Sequence, residues 1–345
     1  MTQVLMECPK TMTKVVKPSK GRYGDDAYYN RLFSYFRSQL KEKIKEMVPL
    51  QRSVLLLKTE QHLYVVKGYQ SNQRLKIQEA FTSTLRKEGF MNTYVFLQSP
   101  AKEQLFFEGS YFGLIEYIPQ NKVAFTFQTL KNRRDGLDLL EKFHHATASF
   151  ETRYRRLLPK ADLIGKWTER LEVFSNNLPF LMYFMNEPFI SEIVSWANWS
   201  VKGMEANREY FEEEPFVILH GDVAHHNFLR NEDGKLYIID FDLISIGPRV
   251  LDYLQYANRI LPYLDWSIDK LGSLKQMRKF LHDNSFLYAL AYPTDIFREW
   301  NRLIREQSYS DPHKLQQVMD LSIGQFYSRK KFISRLKSMV NESGY

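Results

Sequence analysis

Glu214–Asp242 reads EPFVILHGDVAHHNFLRNEDGKLYIIDFD, and its interpretation decides the fold. Phe216–Leu219 is a short apolar run, the pattern of a buried strand. A polar loop, His220–Asn227, follows without a break. Asn231-Glu232-Asp233-Gly234 is a hairpin turn with glycine placed for positive φ. Leu236–Ile239 then returns as a second strand and delivers Asp240 at its end. The hairpin brings Asp240 back beside Asn227, with Asp222 on the loop just before, so two carboxylates and an amide oxygen converge.

That donor set suits Mg²⁺, which takes oxygen ligands from one or two side chains and the remainder from phosphate and water. Asn227 and Asp240 are the expected metal ligands. Asp222 is the expected catalytic base, oriented to accept a proton from a hydroxyl during in-line phosphoryl transfer. Protein kinases carry H-R-D-x-x-x-x-N followed by D-F-G. Here HGDVAHHN keeps the five-residue step from Asp222 to Asn227, and Asp240-Phe241-Asp242 has aspartate in place of the glycine. A metal hydrolase built on His225 and His226 fits poorly, because adjacent loop histidines point apart and no third histidine follows at ligand spacing. His220 reads as structural.

HGD(x)4N followed by a hairpin and IDFD resembles the aminoglycoside phosphotransferase and choline kinase superfamily. More narrowly, GLDLLEKFHHATASF, GKWTERLEVF and IDFDLISIGPRVLDYLQYANRILPYLDW resemble the spore-coat kinase-like proteins (CotS type) of endospore-forming bacteria. The resemblance spans roughly residues 50–340 and implies an α+β, two-lobed protein-kinase-like fold. Its small N-lobe would be an antiparallel sheet and its C-lobe mainly helical. The expected partition is a basic arm at 1–22, an N-lobe at 23–118 ending in the hinge, and a C-lobe at 119–345. The resemblance implies ATP and Mg²⁺ as cofactors, a small-molecule hydroxyl as acceptor, and other coat proteins as partners.

Composition agrees with a folded globular chain: 44% of the 345 residues are hydrophobic and 26% charged, with a net charge of +8. One cysteine, Cys8, excludes an intrachain disulfide framework. No apolar stretch reaches bilayer-spanning length. Glu7, Pro9 and Lys10 interrupt any signal-peptide core, so cytoplasmic synthesis is expected, with the spore coat as destination by resemblance. Nothing points to nucleic-acid recognition.

Along the chain, Lys10, Lys14, Lys17, Lys20 and Arg22 form a basic arm. Asp25-Asp26 is read as the cap of a helix that runs to about Val48 and ends at Pro49. Residues 53–57 and 62–69 form a hairpin. By resemblance, Lys67 on its return strand meets the α/β-phosphates. A helix over about 71–87 ends at Gly89, and Glu79 is its candidate partner for Lys67. Leu105–Gly109 pairs with Tyr111–Ile118, after which Glu116, Tyr117 and Ile118 match the hinge that faces adenine. Thr129–Phe150 is a helix with Leu137, Leu140, Phe143 and Ala148 on one face, and residues 151–213 are a largely helical insertion. Asp252, on a helix over Leu251–Ile260, matches an aspartate that braces the catalytic loop. The last helix, about Ile323–Val340, sets Phe326, Ile333, Leu336 and Val340 against a basic face that includes Arg329. One departure stands out: no glycine lies between Val48 and Val66, where a phosphate-covering turn belongs. A loop of Leu50-Gln51-Arg52-Ser53 cannot approach phosphates as closely. A catalytically degenerate, structural coat protein is therefore the second reading.

Overall fold

The computed structural model describes residues 25–342 apart from 41, 52 and 99–103. The basic arm, Cys8 and the side chains of Asp25 and Asp26 lie outside the described residues. The chain divides into two compact units. One runs through Asn121 and includes Asn231–Tyr237, and the other takes Lys122–Arg230 and the chain from Ile238 onward.

Among the described residues, the first unit is an antiparallel sheet with two helices. Helix α1 (Asp25–Gln39) precedes strands β1 (Ile44–Gln51), β2 (Val54–Thr59) and β3 (Leu63–Tyr69). Helix α2 (Asn72–Lys87), β4 (Phe96–Leu97), β5 (Phe106–Phe107) and β6 (Ser110–Glu116) follow. The strand order is β1-β2-β3-β6-β4, with β5 paired to β6. Side chains alternate across each strand. Tyr64, Val66, Phe112 and Leu114 therefore face one side, where Leu32, Phe36 and Leu40 from α1 complete a buried cluster. Lys67 points to the opposite side, which α2 covers. Gly113 pairs with Lys67 across the ladder. A Cβ there would lie 2.8 Å from Leu75 of α2, so glycine is what allows the helix to settle on the sheet.

The first expected helix is corrected. It stops at Gln39, and Ile44–Gln51 is a strand. The apolar positions Ile44 and Met47 fitted a helical period, but both are buried within the sheet unit. Pro49 sits inside β1, an edge strand, where a missing N–H costs no ladder bond toward a neighbour. The other expected elements of this unit form within a few residues of their predicted ends. Ser71 caps α2 by accepting from the Arg74 N–H, and Gly89 closes it at φ +88°.

The second unit is mostly helical. Helices α3 (Leu130–Ala148), α4 (Leu163–Asn176) and α5 (Glu187–Ala206) precede strands β7 (Phe216–Leu219), β8 (Phe228–Arg230), β9 (Leu236–Ile238) and β10 (Ser245–Pro248). Then come α6 (Val250–Ile260), α7 (Asn284–Leu290), α8 (Thr294–Arg305), α9 (Pro312–Met319) and α10 (Phe326–Glu342). β7 pairs antiparallel with β10, and β8 with β9 around the turn at Gly234. α3 packs on β7, where the Thr147 hydroxyl donates to the Ile218 carbonyl at 3.2 Å; its Leu137, Leu140 and Phe143 are fully buried, whereas Ala148 is exposed. Trp167 of α4 stacks on Tyr292 with centroids 4.3 Å apart, and the Tyr292 hydroxyl donates to the Trp167 carbonyl at 2.6 Å. These contacts fix α4 against the α7–α8 junction.

α10 docks through Phe326, Ile333, Leu336 and Val340, all buried. Arg329 does not join its basic face as expected: its side chain is 2% exposed, and its two terminal nitrogens donate to the two Asp295 oxygens at 2.9 and 2.5 Å. Its guanidinium lies 4.1 Å from the Trp266 ring centroid. Position 329 is three residues from Phe326 and four from Ile333, so helical geometry puts it on the apolar face. No described helix is long and apolar enough to cross a membrane.

Removing one partner of such a pair leaves the other charge poorly solvated. Arg329→Met should destabilise the protein by about 3 kcal/mol, read as a lower urea midpoint. Adding Asp295→Leu should restore most of the loss, because the charge left unpaired is then gone.

Candidate active site

The buried strand β7 delivers its chain end into a loop whose backbone groups are held by side chains of α6 and of the loop itself. Val217, Ile218 and Leu219 are almost fully buried. At His220 the chain turns, and Gly221 adopts φ +78°. A Cβ at Gly221 would stand 2.2 Å from the Leu243 carbonyl oxygen, so no other residue fits there without displacing backbone.

One face of α6 secures this turn. Asp252, 1% exposed, accepts the His220 N–H at 2.7 Å and the Gly221 N–H at 3.0 Å. Its Oδ2 also lies 2.8 Å from His144 Nε2 of α3. One turn along, Gln255 accepts the Val223 N–H at 2.5 Å and donates to the Gly221 carbonyl at 2.8 Å. Two turns along, Arg259 Nη2 reaches Asp222 Oδ1 at 3.1 Å. The bracing expected of Asp252 is thus present as geometry. Gln255 and Arg259 were missed by sequence reasoning, although their i, i+3, i+7 spacing from Asp252 was a usable signal.

The loop is closed from within by Asn227, which is 2% exposed. Its amide nitrogen donates to the Asp222 carbonyl at 2.8 Å and to Asp222 Oδ2 at 3.2 Å. With the nitrogen committed there, the amide oxygen is turned away from Asp222. The Ile239 N–H donates to the Asn227 carbonyl at 2.9 Å, which brings the end of the β9 segment beside this residue, as the hairpin predicted. His220 ties the same two stretches: Nε2 donates to the Ile239 carbonyl at 3.0 Å while Nδ1 accepts the Asp222 N–H at 3.3 Å. That pair of bonds requires a neutral ring with its proton on Nε2.

Asp240 follows directly, half-buried and at φ +69°. An L-residue in that region costs on the order of 1 kcal/mol, and such outliers gather at functional sites. Its neighbours hold it there. Ile239 is bonded on both its polar backbone atoms, and Phe241 is fully buried, stacked on Phe143 at 5.8 Å and beside His220 at 5.3 Å. Asp242 is exposed.

Burial dominates the protonation of this core. It pushes the His220 imidazole below its ordinary value of 6.5, only partly countered by Asp252, the Ile239 carbonyl, Asp222 and Asp240. Burial alone would raise Asp252, but the His144 hydrogen bond and the facing His220 outweigh it and hold the carboxyl below the usual range.

Lys67, Glu79, Glu116, Tyr117 and Ile118 belong to the first unit. Lys67 is 7% exposed on β3, its ammonium 5.6 Å from the Tyr69 ring centroid. Glu79 is engaged by Lys76 at 2.7 Å on its own helix, and the polar residues on the buried face of α2 are Gln78 and Thr82. Glu116 ends β6, with its N–H donating to the Val95 carbonyl at 2.9 Å, and Tyr117 and Ile118 continue half-buried beyond it. His225 and His226 are exposed, their rings 5.5 Å apart at 79° to one another. Among the described residues no three His, Cys, Asp or Glu side chains gather as a metal centre. The Asn227 amide oxygen and the Asp240 carboxylate are hard oxygen donors. They fit a Mg²⁺ that takes its other ligands from phosphate and water.

A small antiparallel sheet, a large helical unit and an Asp–Asn loop followed by a strained aspartate define a kinase-like phosphotransferase fold. The chain is similar to the aminoglycoside phosphotransferase of Alicyclobacillus acidocaldarius, with 18% identity over 88% of this chain and 95% of that one and a TM-score of 0.66. It is also similar to a spectinomycin phosphotransferase solved with ADP and spectinomycin (14% identity, 91% and 98% of the chains, TM-score 0.53). A choline/ethanolamine kinase family protein from Mesorhizobium loti is comparable (14%, 90% and 98%, TM-score 0.52). The sequence profile of the phosphotransferase enzyme family matches residues 51–274, and the chain belongs to that family.

The buried neutral His220 has a measurable consequence. Unfolded, it takes up a proton near pH 6.5, whereas folded it resists until lower pH. The unfolded state therefore binds more protons in that window, and stability falls as pH falls from about 7 to about 5. Asp252 adds a second loss only below its ordinary 3.8, as its depressed folded value is crossed. Urea midpoints across this range should show the first slope, and His220→Gln should flatten it. An unchanged slope would remove His220 as its source.

Proposed function

We propose that the protein is a phosphotransferase that moves the γ-phosphate of ATP to a hydroxyl of a small molecule. The observation that carries this is the Asp222–Asn227 pairing in a loop clamped by Asp252 and Gln255. Asp222 accepts the acceptor's hydroxyl proton as its oxygen attacks the γ-phosphorus and the bond to the bridging oxygen breaks, releasing ADP. Asn227 fixes the Asp222 carboxylate through its nitrogen and offers its oxygen, with Asp240, to Mg²⁺. Bound with the nucleotide, Mg²⁺ neutralises charge on the phosphate oxygens. Lys67 holds the α/β-phosphates, and the backbone of Glu116, Tyr117 and Ile118 meets the adenine ring. The ADP of the spectinomycin phosphotransferase supports the nucleotide assignment by likeness of fold.

A second reading is a catalytically silent scaffold, and one observation favours it. Gln51 pairs with Val54, so the β1–β2 connection is as short as a hairpin allows and holds no glycine to cover phosphates. For either reading we place the protein in the spore coat, on the strength of the IDFDLISIGPRVLDYLQYANRILPYLDW and GKWTERLEVF resemblances and the basic arm of residues 1–22.

Thermal shift with Mg²⁺ and ATP separates the readings. Nucleotide at about 100 times its dissociation constant should stabilise the protein by roughly 2.7 kcal/mol. Asp222→Asn should keep that shift and lose phosphotransfer, whereas Asp240→Asn should lose the Mg²⁺-dependent part. No shift at saturating nucleotide in a folded sample would leave the scaffold. The coat assignment predicts that a tagged chain localises to the coat of sporulating cells and that deleting residues 1–22 weakens its incorporation. Diffuse distribution of the full chain would refute it.

A further inference from the structure

The surroundings of Asp222 carry an unusual charge. Arg259, which touches it, lies among other cations: Lys166 and Arg170 of α4 and Arg298 of α8, close enough that each influences others in the group electrostatically. Most nearby acids are already engaged. Asp295 is held by Arg329, and Glu299 lies 2.9 Å from Arg298 and 2.5 Å from Arg302. Among the described residues, neither Lys166 nor Arg170 has a carboxylate within ion-pair distance; Arg170 Nη1 donates to the Thr294 hydroxyl at 2.9 Å.

These two cations stand at i and i+4 of one helix, an arrangement that destabilises it by like-charge repulsion. The scaffold nevertheless fixes them. Asn301 of α8 donates to the Arg170 carbonyl at 2.9 Å, and Trp167, between them in sequence, is stacked on Tyr292. Lys166 keeps contact with solvent, yet burial, then Arg170 and Arg298, push its pKa down, with Asp222 opposing. Arg170 and Arg259 are likewise lowered, chiefly by burial. Lys166 and Arg170, with no carboxylate in ion-pair distance among the described residues, favour an incoming anion.

We infer, resting on the phosphotransferase reading above, that the acceptor is an anionic hydroxy compound whose phosphate or carboxylate group meets Lys166 and Arg170 while its hydroxyl meets Asp222. An amine-bearing acceptor would bring a further positive charge into the same cluster and be repelled. The specificity of this chain is then opposite in sign to that suited to amino sugars.

Glucose, glucosamine, gluconate and glucose 6-phosphate form a matched set of probes, titrated calorimetrically at fixed ionic strength with and without Mg²⁺ and a non-hydrolysable ATP analogue. Gluconate or glucose 6-phosphate should bind more tightly than glucose, and glucosamine least. Lys166→Gln, at a solvent-accessible position, and Arg170→Gln should each weaken the anion by about tenfold while leaving nucleotide binding unchanged. Equal binding of the neutral or amino sugar, or anion binding indifferent to both substitutions, would overturn the inference. So would loss of nucleotide binding in both variants, which would assign the cations to the nucleotide's phosphates. Absence of nucleotide binding in the parent protein would sink the phosphotransferase reading alone, because the anion comparison without nucleotide reads the charge preference separately.

Discussion

A single buried carboxylate, Asp252, holds the arrangement together. It collects two consecutive backbone N–H groups and a histidine from a different helix, all in a place water does not reach. An ionised group so enclosed is tolerable only when its oxygens are filled, and here the filling is done by the loop it shapes. The dependence runs both ways. The loop needs an acceptor for N–H groups that leave β7 with no strand partner, and the carboxylate needs those donors to remain charged.

The same economy extends along α6. Asp252, Gln255 and Arg259 are spaced so that one helical face meets the first four residues of the loop, His220 to Val223. Rigid elements on three sides, α3, α6 and the β8–β9 hairpin, therefore determine where Asp222 and Asn227 stand. On the proposed phosphotransferase reading, preorganisation of this kind would leave little rearrangement for the moment of reaction, which is where electrostatic catalysis gains most.

Much of this was legible in the sequence because it is local. A run of four apolar residues, a glycine at a turn and a five-residue step are read from neighbours in the chain, and the hairpin returns Asp240 to Asn227 by its own geometry. What failed was decided at a distance. Ile44–Gln51 carries apolar residues that suit a helix or a strand, and only pairing with β2 resolves it. Arg329 looked like surface charge until Asp295, 34 residues away, supplied a partner. The cations around Asp222 come from α4, α6 and α8, and no linear motif gathers them.

The first strand has a bearing on how copies of this protein behave together. β1 forms the outer margin of its sheet, its pairing with β2 is irregular near both ends, and Pro49 interrupts its row of donors. A second chain seeking to extend the sheet there would find no continuous, flat run of N–H and C=O groups to copy. The proline that misled the helix assignment thus acts as a guard against edge-to-edge aggregation between copies of the folded chain.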